Sequence, residues 1–192
     1  MKKLLIMAAA VFATVNIFAQ GTVNFANIGG GGVTNSLTGA RAATGSTFVV
    51  QLYYLPDSGQ APTTDADFMP LGARVAFGPT PGLFSGGIRT APVTPPGAFA
   101  YFQVRSWETA FGTSFEEAST KGAVGGRLAL VGKSNIIKVD TSDPTLIPPE
   151  NAANLVAAGL QGFVLVPVVP EPSVIGLGLL GAGALLMLRR RK

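Results

Sequence analysis

The sequence predicts a mainly β protein: a single antiparallel, β-sandwich-like domain with one or two short helices, placed between two apolar terminal segments. Three observations predict this class. Of the 192 residues, 47% are hydrophobic and only 12% are charged, whereas soluble domains average about 25% charged residues. The 25 glycines and 14 prolines favour turns over helix. Two segments are rich in the β-branched and aromatic residues that strands prefer.

The first of these segments, residues 46–55, is the clearest strand, and a Pro-Asp-Ser-Gly turn follows it. Side chains alternate between the two faces of a strand. One face would carry Phe48, Val50, Leu52 and Tyr54, and the other Val49, Gln51, Tyr53 and Leu55. Because both faces are largely apolar, this strand is predicted to lie inside the sheet.

The second segment, residues 98–107, predicts a strand with one buried and one exposed face. Ala100, Phe102 and Val104 form the apolar set, whereas Tyr101, Gln103 and Arg105 are predicted to face solvent. Weaker patterns predict strands over residues 22–26, 73–77, 83–93, 125–131, 134–139 and 160–168.

Two segments favour helix. Ser114 followed by Glu117 forms a capping-box pattern, which predicts a short helix from Phe115 to about Lys121. Residues 151–160 have helical propensity.

Several function classes are excluded by composition. The chain has no Cys and no His, which excludes disulfides, Cys/His metal sites and histidine-dependent nucleophilic triads. Six of the 14 basic residues lie at the two chain tips, which leaves eight basic against 10 acidic residues elsewhere. The body therefore lacks the basic surface that nucleic-acid binding needs. No cofactor motif is found, and we expect no enzymatic activity.

The N-terminus is predicted to be a secretory signal peptide, residues 1–19. Lys2 and Lys3 precede an apolar run over residues 4–18, and Ala19 supplies a small residue at the cleavage site. Export machinery of the Sec type and a signal peptidase are the implied partners. The alternative is an uncleaved anchor, but the run is shorter than the roughly 20 residues that span a membrane.

The C-terminus, residues 169–192, has three parts in order. Pro170, Glu171 and Pro172 form an extended peptide with one charge. Residues 173–188 carry no charge, and as a transmembrane helix they would be about 24 Å long. The last four residues form a basic cluster, which would stay in the cytoplasm: Arg189, Arg190, Arg191 and Lys192.

This tail resembles the PEP-CTERM sorting domain of Gram-negative bacteria in the order and position of its three parts. The resemblance implies processing by an exosortase, a membrane protease, and a host that makes extracellular polysaccharide. The precursor would be a single-pass inner-membrane protein with a cytoplasmic C-terminus, and the product would reach the cell surface or extracellular matrix. The structural alternative is a plain membrane anchor behind a proline-containing linker.

The exported domain, residues 20–168, resembles ectodomains found with such tails in Verrucomicrobia-like proteins. Four segments carry this resemblance: residues 102–108, 112–118, 132–135 and 160–163. It implies a pattern of strand, capped helix, turn and strand, but no activity. Residues 127–131 depart from that pattern.

Candidate chemistry within the domain is sparse. Glu108 and Glu116 could form a carboxylate pair of glycosidase type, with Glu117 as a helix cap. Asp65 and Asp67 have a spacing seen in calcium loops. The glycine run 29–32 is expected to be a flexible loop rather than a phosphate cradle. Finally, Tyr53, Tyr101 and Trp107 could form a platform on which sugars stack.

These observations predict an exported cell-envelope or matrix protein without catalytic residues, metal or cofactor. A surface carbohydrate-binding module is the first alternative. A glycan hydrolase is the second.

Overall fold

The computed structural model describes residues 20–121 and 123–169. The signal segment with Ala19, the Pro170-Glu171-Pro172 motif, the apolar segment 173–188 and the basic residues 189–192 lie outside the described residues. Within the described part, no helix is both long and apolar enough to span a membrane.

The described chain is mainly β, as the sequence predicts. Its helical elements are a 3₁₀ turn at Thr109–Phe111 and one helix, α1, at Phe115–Thr120. The ten strands, numbered in chain order, are β1 Thr22–Ala26, β2 Thr34–Asn35, β3 Gly45–Pro56, β4 Met69–Phe77, β5 Ser85–Thr90, β6 Phe99–Glu108, β7 Leu130–Lys133, β8 Ile137–Asp140, β9 Ala153–Asn154 and β10 Val164–Pro167.

The strands of the described residues form two sheets. The small sheet has the order β5-β1-β9, and the large sheet has the order β2-β10-β7-β6-β3-β4, with β8 pairing with the first half of β6. Most pairs are antiparallel, as predicted, but the short pairs β1–β9 and β10–β2 are parallel.

The inner faces of the two sheets share one hydrophobic core. Val23 and Phe25 of β1 pack in the same cluster as Val50, Leu52 and Tyr54 of β3. Phe25 also contacts Phe84, with ring centroids 5.0 Å apart. The strand β3 lies between β4 and β6, so its predicted position inside the sheet is confirmed.

Two local predictions are wrong, and each has a local cause. Residues 151–160 form β9 and a series of turns instead of a helix. The Asn154 side chain accepts hydrogen bonds from the backbone N–H groups of Val156 and Ala157, which stabilises a turn. The strand predicted at residues 125–131 begins only at Leu130, because Gly125 and Gly126 have positive φ angles and form a turn closed by Val124 and Arg127.

We expect Phe102→Ala to lower the free energy of unfolding by about 3–5 kcal/mol, because the ring is fully buried in the shared core. Phe99→Ala, on the same strand but 49% exposed, is the matched control and should cost less than about 1 kcal/mol. Denaturant unfolding of both variants measures the difference. A loss below about 1 kcal/mol for Phe102→Ala would mean that the assigned core face is wrong.

Candidate functional site

The outer face of the large sheet, which faces away from the small sheet, is covered by a second hydrophobic cluster. Val49 and Tyr53 of β3 and Trp107 of β6 pack there against residues from three separate segments. The covering side chains come from the loop before β4, from the 3₁₀ turn and from α1: Phe68, Phe111, Phe115 and Ala118. Both faces of β3 and β6 are therefore buried.

This cover contradicts the predicted exposure of one face of β6. Tyr101, Gln103 and Arg105 are only 8%, 3% and 4% exposed. It also contradicts the predicted sugar-stacking platform. Trp107 is fully buried and Tyr53 is 1% exposed, so neither ring offers a face to a ligand.

Arg105 lies on the outer face, and each of its three guanidinium nitrogens donates a hydrogen bond to a protein acceptor. It donates to the Gln103 side chain (2.8 Å), to the Glu116 carboxylate (3.1 Å) and to the Asp65 backbone carbonyl (2.6 Å). Its guanidinium carbon lies 4.1 Å from the centre of the Tyr53 ring and 5.4 Å from that of Phe115. Arg105 therefore links the sheet, the loop before β4 and α1.

Asp65 is the second centre of this arrangement. Its carboxylate accepts from Lys133 Nζ at 2.7 Å and from the Gln103 side chain at 3.2 Å. Burial of the Asp65 carboxyl raises its pKa, but the hydrogen bonds from Lys133 and Gln103 and the positive charges of Lys133 and Arg105 outweigh this. The pKa of Asp65 therefore lies below its ordinary value.

The calcium hypothesis for Asp65 and Asp67 does not fit this geometry. Both oxygens of Asp65 are engaged by protein donors, and Asp67 accepts from Thr64 in the exposed loop. In residues 20–121 and 123–169, no three His, Cys, Asp or Glu side chains come together in a way that could hold a metal ion. The positive charge paired with Asp65 is the Lys133 ammonium group, at 2.7 Å.

Glu116 accepts from Arg105 and also from the Tyr53 hydroxyl, at 3.0 Å. Burial raises the pKa of Tyr53, and the hydrogen bond to Glu116 raises it further. The Tyr53 hydroxyl therefore stays protonated and donates its hydrogen bond to Glu116.

Glu108 does not face Glu116 across a shared site. Strand alternation places Glu108 on the face of β6 that carries Phe102 and Val104, whereas Glu116 contacts Arg105 on the outer face. Glu108 pairs instead with Arg127 at 2.8 Å. The pairing expected of a glycosidase is therefore absent for these two carboxylates.

Glu117 is a helix cap, as the sequence predicts. The Ser114 hydroxyl accepts from the Glu117 backbone N–H at 3.1 Å, and the Glu117 carboxylate accepts from the backbone N–H and hydroxyl of Thr113. The backbone N–H of Thr113 is the main cause of the lowered pKa of Glu117.

The glycine run 29–32 is a loop, as predicted, and close packing accounts for two of its glycines. A side chain at Gly31 would overlap the backbone of Gly162, and one at Gly32 would overlap the Arg41 guanidinium. The contact with backbone explains Gly31 without a phosphate ligand, whereas the Arg41 side chain beside Gly32 could shift.

No family model, curated protein or solved structure matches this chain. The charged side chains of the outer face form ion pairs with one another. Arg105 and Lys133 neutralise Glu116 and Asp65, and each of these four side chains has a protein partner. We name this set, together with Gln103 and Tyr53, the Arg105 network. Its hydrogen bonds and ion pairs join the large sheet to the loop before β4 and to α1.

Sequence reasoning missed the Arg105 network. It identified Asp65, Glu116 and Tyr53 separately, but it assigned Gln103 and Arg105 to solvent and gave Lys133 no role. One signal was available: Arg105 and Gln103 alternate with large apolar residues in a strand otherwise suited to the interior. Such a pattern is also typical of a strand whose polar groups are buried with partners.

We expect Arg105→Met to destabilise the domain by about 2–4 kcal/mol, because buried charge-assisted hydrogen bonds would be lost and their acceptors left unpaired. Arg74→Met removes an exposed arginine with one bond to the Thr113 carbonyl and should cost less than about 1 kcal/mol. Arg105→Lys should recover only part of the loss, since an ammonium cannot reproduce the planar fork of donors. Equal losses of unfolding free energy for Arg105→Met and Arg74→Met would contradict a structural role for the Arg105 network.

The lowered pKa of Asp65 predicts a pH dependence of stability. A carboxyl whose pKa is lower in the folded state stabilises the fold above its unfolded pKa, near 4, and this contribution is lost as the pH falls through the folded value. We therefore expect the stability difference between wild type and Asp65→Asn to be constant near pH 7 and to shrink below about pH 4. Unfolding curves at a series of pH values measure it, with Asp67→Asn as the control. A difference that stays constant down to pH 2 would contradict this assignment.

Proposed function

We propose that this protein is exported through its N-terminal segment, sorted and processed at its C-terminal tail, and acts at the cell surface or in the extracellular matrix without catalysing a reaction. The tail carries this proposal. An acid-centred Pro-Glu-Pro peptide, an uncharged segment of membrane-helix character and a basic cluster follow one another over residues 170–192. The Lys2-Lys3 tip and the apolar run behind it supply the export signal.

The path of the chain through the domain supports this proposal. Thr22 pairs with Ser142, which follows the strand β8. The end of β8 is hydrogen-bonded to the start of β6, where Asp140 pairs with Phe99. At the other end, Pro167 pairs with Leu130 of β7. The next residue of β7, Val131, pairs with Trp107 near the end of β6. The chain therefore enters at one end of the large sheet and leaves at the other, about 30 Å away along the ten residues of β6. A tail held in a membrane would leave the opposite end of the domain pointing outward.

The bonding of the charged groups supports a non-catalytic role. The carboxylates that the sequence suggests for catalysis, Glu108 and Glu116, are each paired with an arginine and lie on opposite faces of β6. A general acid–base pair needs two carboxyl groups that face a common substrate. For the carbohydrate-binding alternative, the aromatic residues that favoured it are buried, so polysaccharide would have to bind elsewhere on the domain.

We expect Glu171→Ala to leave export intact and to block processing, because the acidic side chain is the one charge available to a basic pocket of the processing enzyme. The precursor, without its signal peptide, would then accumulate in the inner membrane with its basic tail attached. Fractionation of host cells, with an antibody against the domain and intact mass measurement of the product, detects this.

The control is Asp67→Ala, which removes an exposed carboxylate from the folded domain and should be processed like the wild type. Equal conversion of the wild type and Glu171→Ala to a shorter form would overturn the sorting proposal. The tail would then act only as an anchor.

A further inference from the structure

The last strand of the domain leaves it between two turns. In the large sheet, β10 lies between β2 and β7. The strand β2 runs parallel to β10, so the turn that follows it, residues 36–39, points in the direction in which the chain leaves. The strand β7 runs antiparallel to β10, so the turn that precedes it, residues 124–127, lies at the same end. One turn therefore stands on each side of the departing chain.

Each turn is held by backbone hydrogen bonds and carries an exposed aliphatic side chain. In the first turn, Asn35 donates its backbone N–H to the Ala40 carbonyl at 2.8 Å, and Leu37 at the tip is 68% exposed. In the second turn, the backbones of Val124 and Arg127 exchange hydrogen bonds of 2.9 and 3.1 Å, and Val124 is 49% exposed. The fold thus fixes the position of both side chains without burying either of them.

The apolar surface continues between the two turns along the departing chain, where Val166 and Val169 are also exposed. We name these four residues, Leu37, Val124, Val166 and Val169, the exit patch. Single exposed aliphatic residues are common, but a group of them at one end of a domain marks a contact surface.

The charges around the exit patch favour a phospholipid partner. Neither residues 33–42 nor residues 123–131 contain an acidic residue, which lipid phosphates would repel. The Arg127 side chain is bonded to the buried Glu108 carboxylate, yet it remains 67% exposed. Exposed aliphatic side chains beside a basic one, with no acidic residue in the same segment, are typical of surfaces that lie in the headgroup layer of a bilayer.

The chain between the domain and the uncharged segment of the tail is short. Pro167 and Leu130 pair with each other and so mark a common level of β10 and β7. Val169 lies two residues, or about 7 Å, beyond this level, and the turn 124–127 reaches up to about 13 Å beyond it. From Val169 to Ser173, where the uncharged segment begins, the chain spans at most about 14 Å.

These lengths bring the exit patch close to the bilayer. The hydrocarbon layer would begin no more than about 21 Å beyond the Pro167–Leu130 level, and the headgroup layer of about 6 Å lies between it and the domain. A connection that is not fully extended therefore brings the turn 124–127 into the headgroups.

We propose that the exit patch rests on the phospholipid bilayer that holds the tail, with Leu37 and Val124 in the headgroup layer. This inference rests on the membrane segment of the proposed function. The contact would keep β10 and the Pro-Glu-Pro peptide at the membrane surface, within reach of a membrane protease.

The experiment uses the full chain, expressed with its N-terminal segment and recovered with its tail attached, in the form that intact mass shows to have lost residues 1–19. The chain has no cysteine, so Leu37→Cys and Val124→Cys each take a single environment-sensitive fluorophore. Leu146→Cys is the matched control. Leu146 is 47% exposed and lies in the loop after Ser142, which pairs with Thr22 at the opposite end of the domain.

The labelled proteins are placed in vesicles of phosphatidylcholine and phosphatidylglycerol that contain lipids with a nitroxide in the headgroup region. We expect these lipids to quench the fluorophores at positions 37 and 124 at least about twofold more strongly than the one at position 146, because side chains of the exit patch would lie within the interface.

A second set of variants separates contact from mere proximity. The fluorophore is placed at Ser36→Cys, beside the first tip, and Leu37→Asp is combined with Val124→Asp. We expect this pair of changes to remove the quenching while the protein still floats with the vesicles. The control pair Leu146→Asp and Ile147→Asp, at the opposite end, should leave the quenching unchanged.

The outcomes distinguish this inference from the proposed function. A protein that does not float with the vesicles would refute the membrane segment of the tail, and this inference with it. A protein that floats, but whose fluorophores at positions 37 and 124 are quenched no more than the one at position 146, would overturn this inference alone. A change in emission that nitroxide lipids do not quench would place the exit patch against protein, such as a second copy of the chain, and would also overturn it.

Discussion

Strands β3 and β6 are buried on both faces, and the covering of their outer face determines much of the remaining architecture. Their inner faces pack on the small sheet, as in any two-layer β domain. Their outer faces carry Tyr53, Tyr101 and Trp107, which need a further apolar layer to exclude water. The loop before β4, the 3₁₀ turn and α1 supply that layer through Phe68, Phe111 and Phe115.

Two of the covering segments also supply hydrogen-bond acceptors for a buried positive charge. Gln103 and Arg105 lie on this outer face, and a buried guanidinium without partners would be strongly destabilising. Asp65, in the loop before β4, and Glu116, in α1, provide acceptors for it. Two of the three covering segments, the loop before β4 and α1, thus supply both apolar cover and charge compensation.

Both ends of the domain are fixed close to the sequences proposed for processing. Gly21 is bonded two residues after Ala19, and Val168 donates to the Ala129 carbonyl at 2.8 Å two residues before Pro170. Val169, between Val168 and the motif, is 74% exposed. The ordered backbone bonding of the domain therefore extends to within two residues of each segment proposed for processing.

The sequence by itself determined the elements whose causes are local. The alternation of side chains assigned both faces of β3, and the predicted bounds of β1 were correct. Ser114 and Glu117 marked the start of α1. These predictions succeeded because side-chain periodicity and helix capping depend on residues only a few positions apart. Only the tertiary structure decided that the second face of β6 is buried. The Asp65 carbonyl that binds Arg105 is 40 residues away in the chain, and Phe68 comes from that same distant segment. Alternation in a strand reports polarity, but it cannot report whether remote residues supply partners that make burial of a polar side chain favourable.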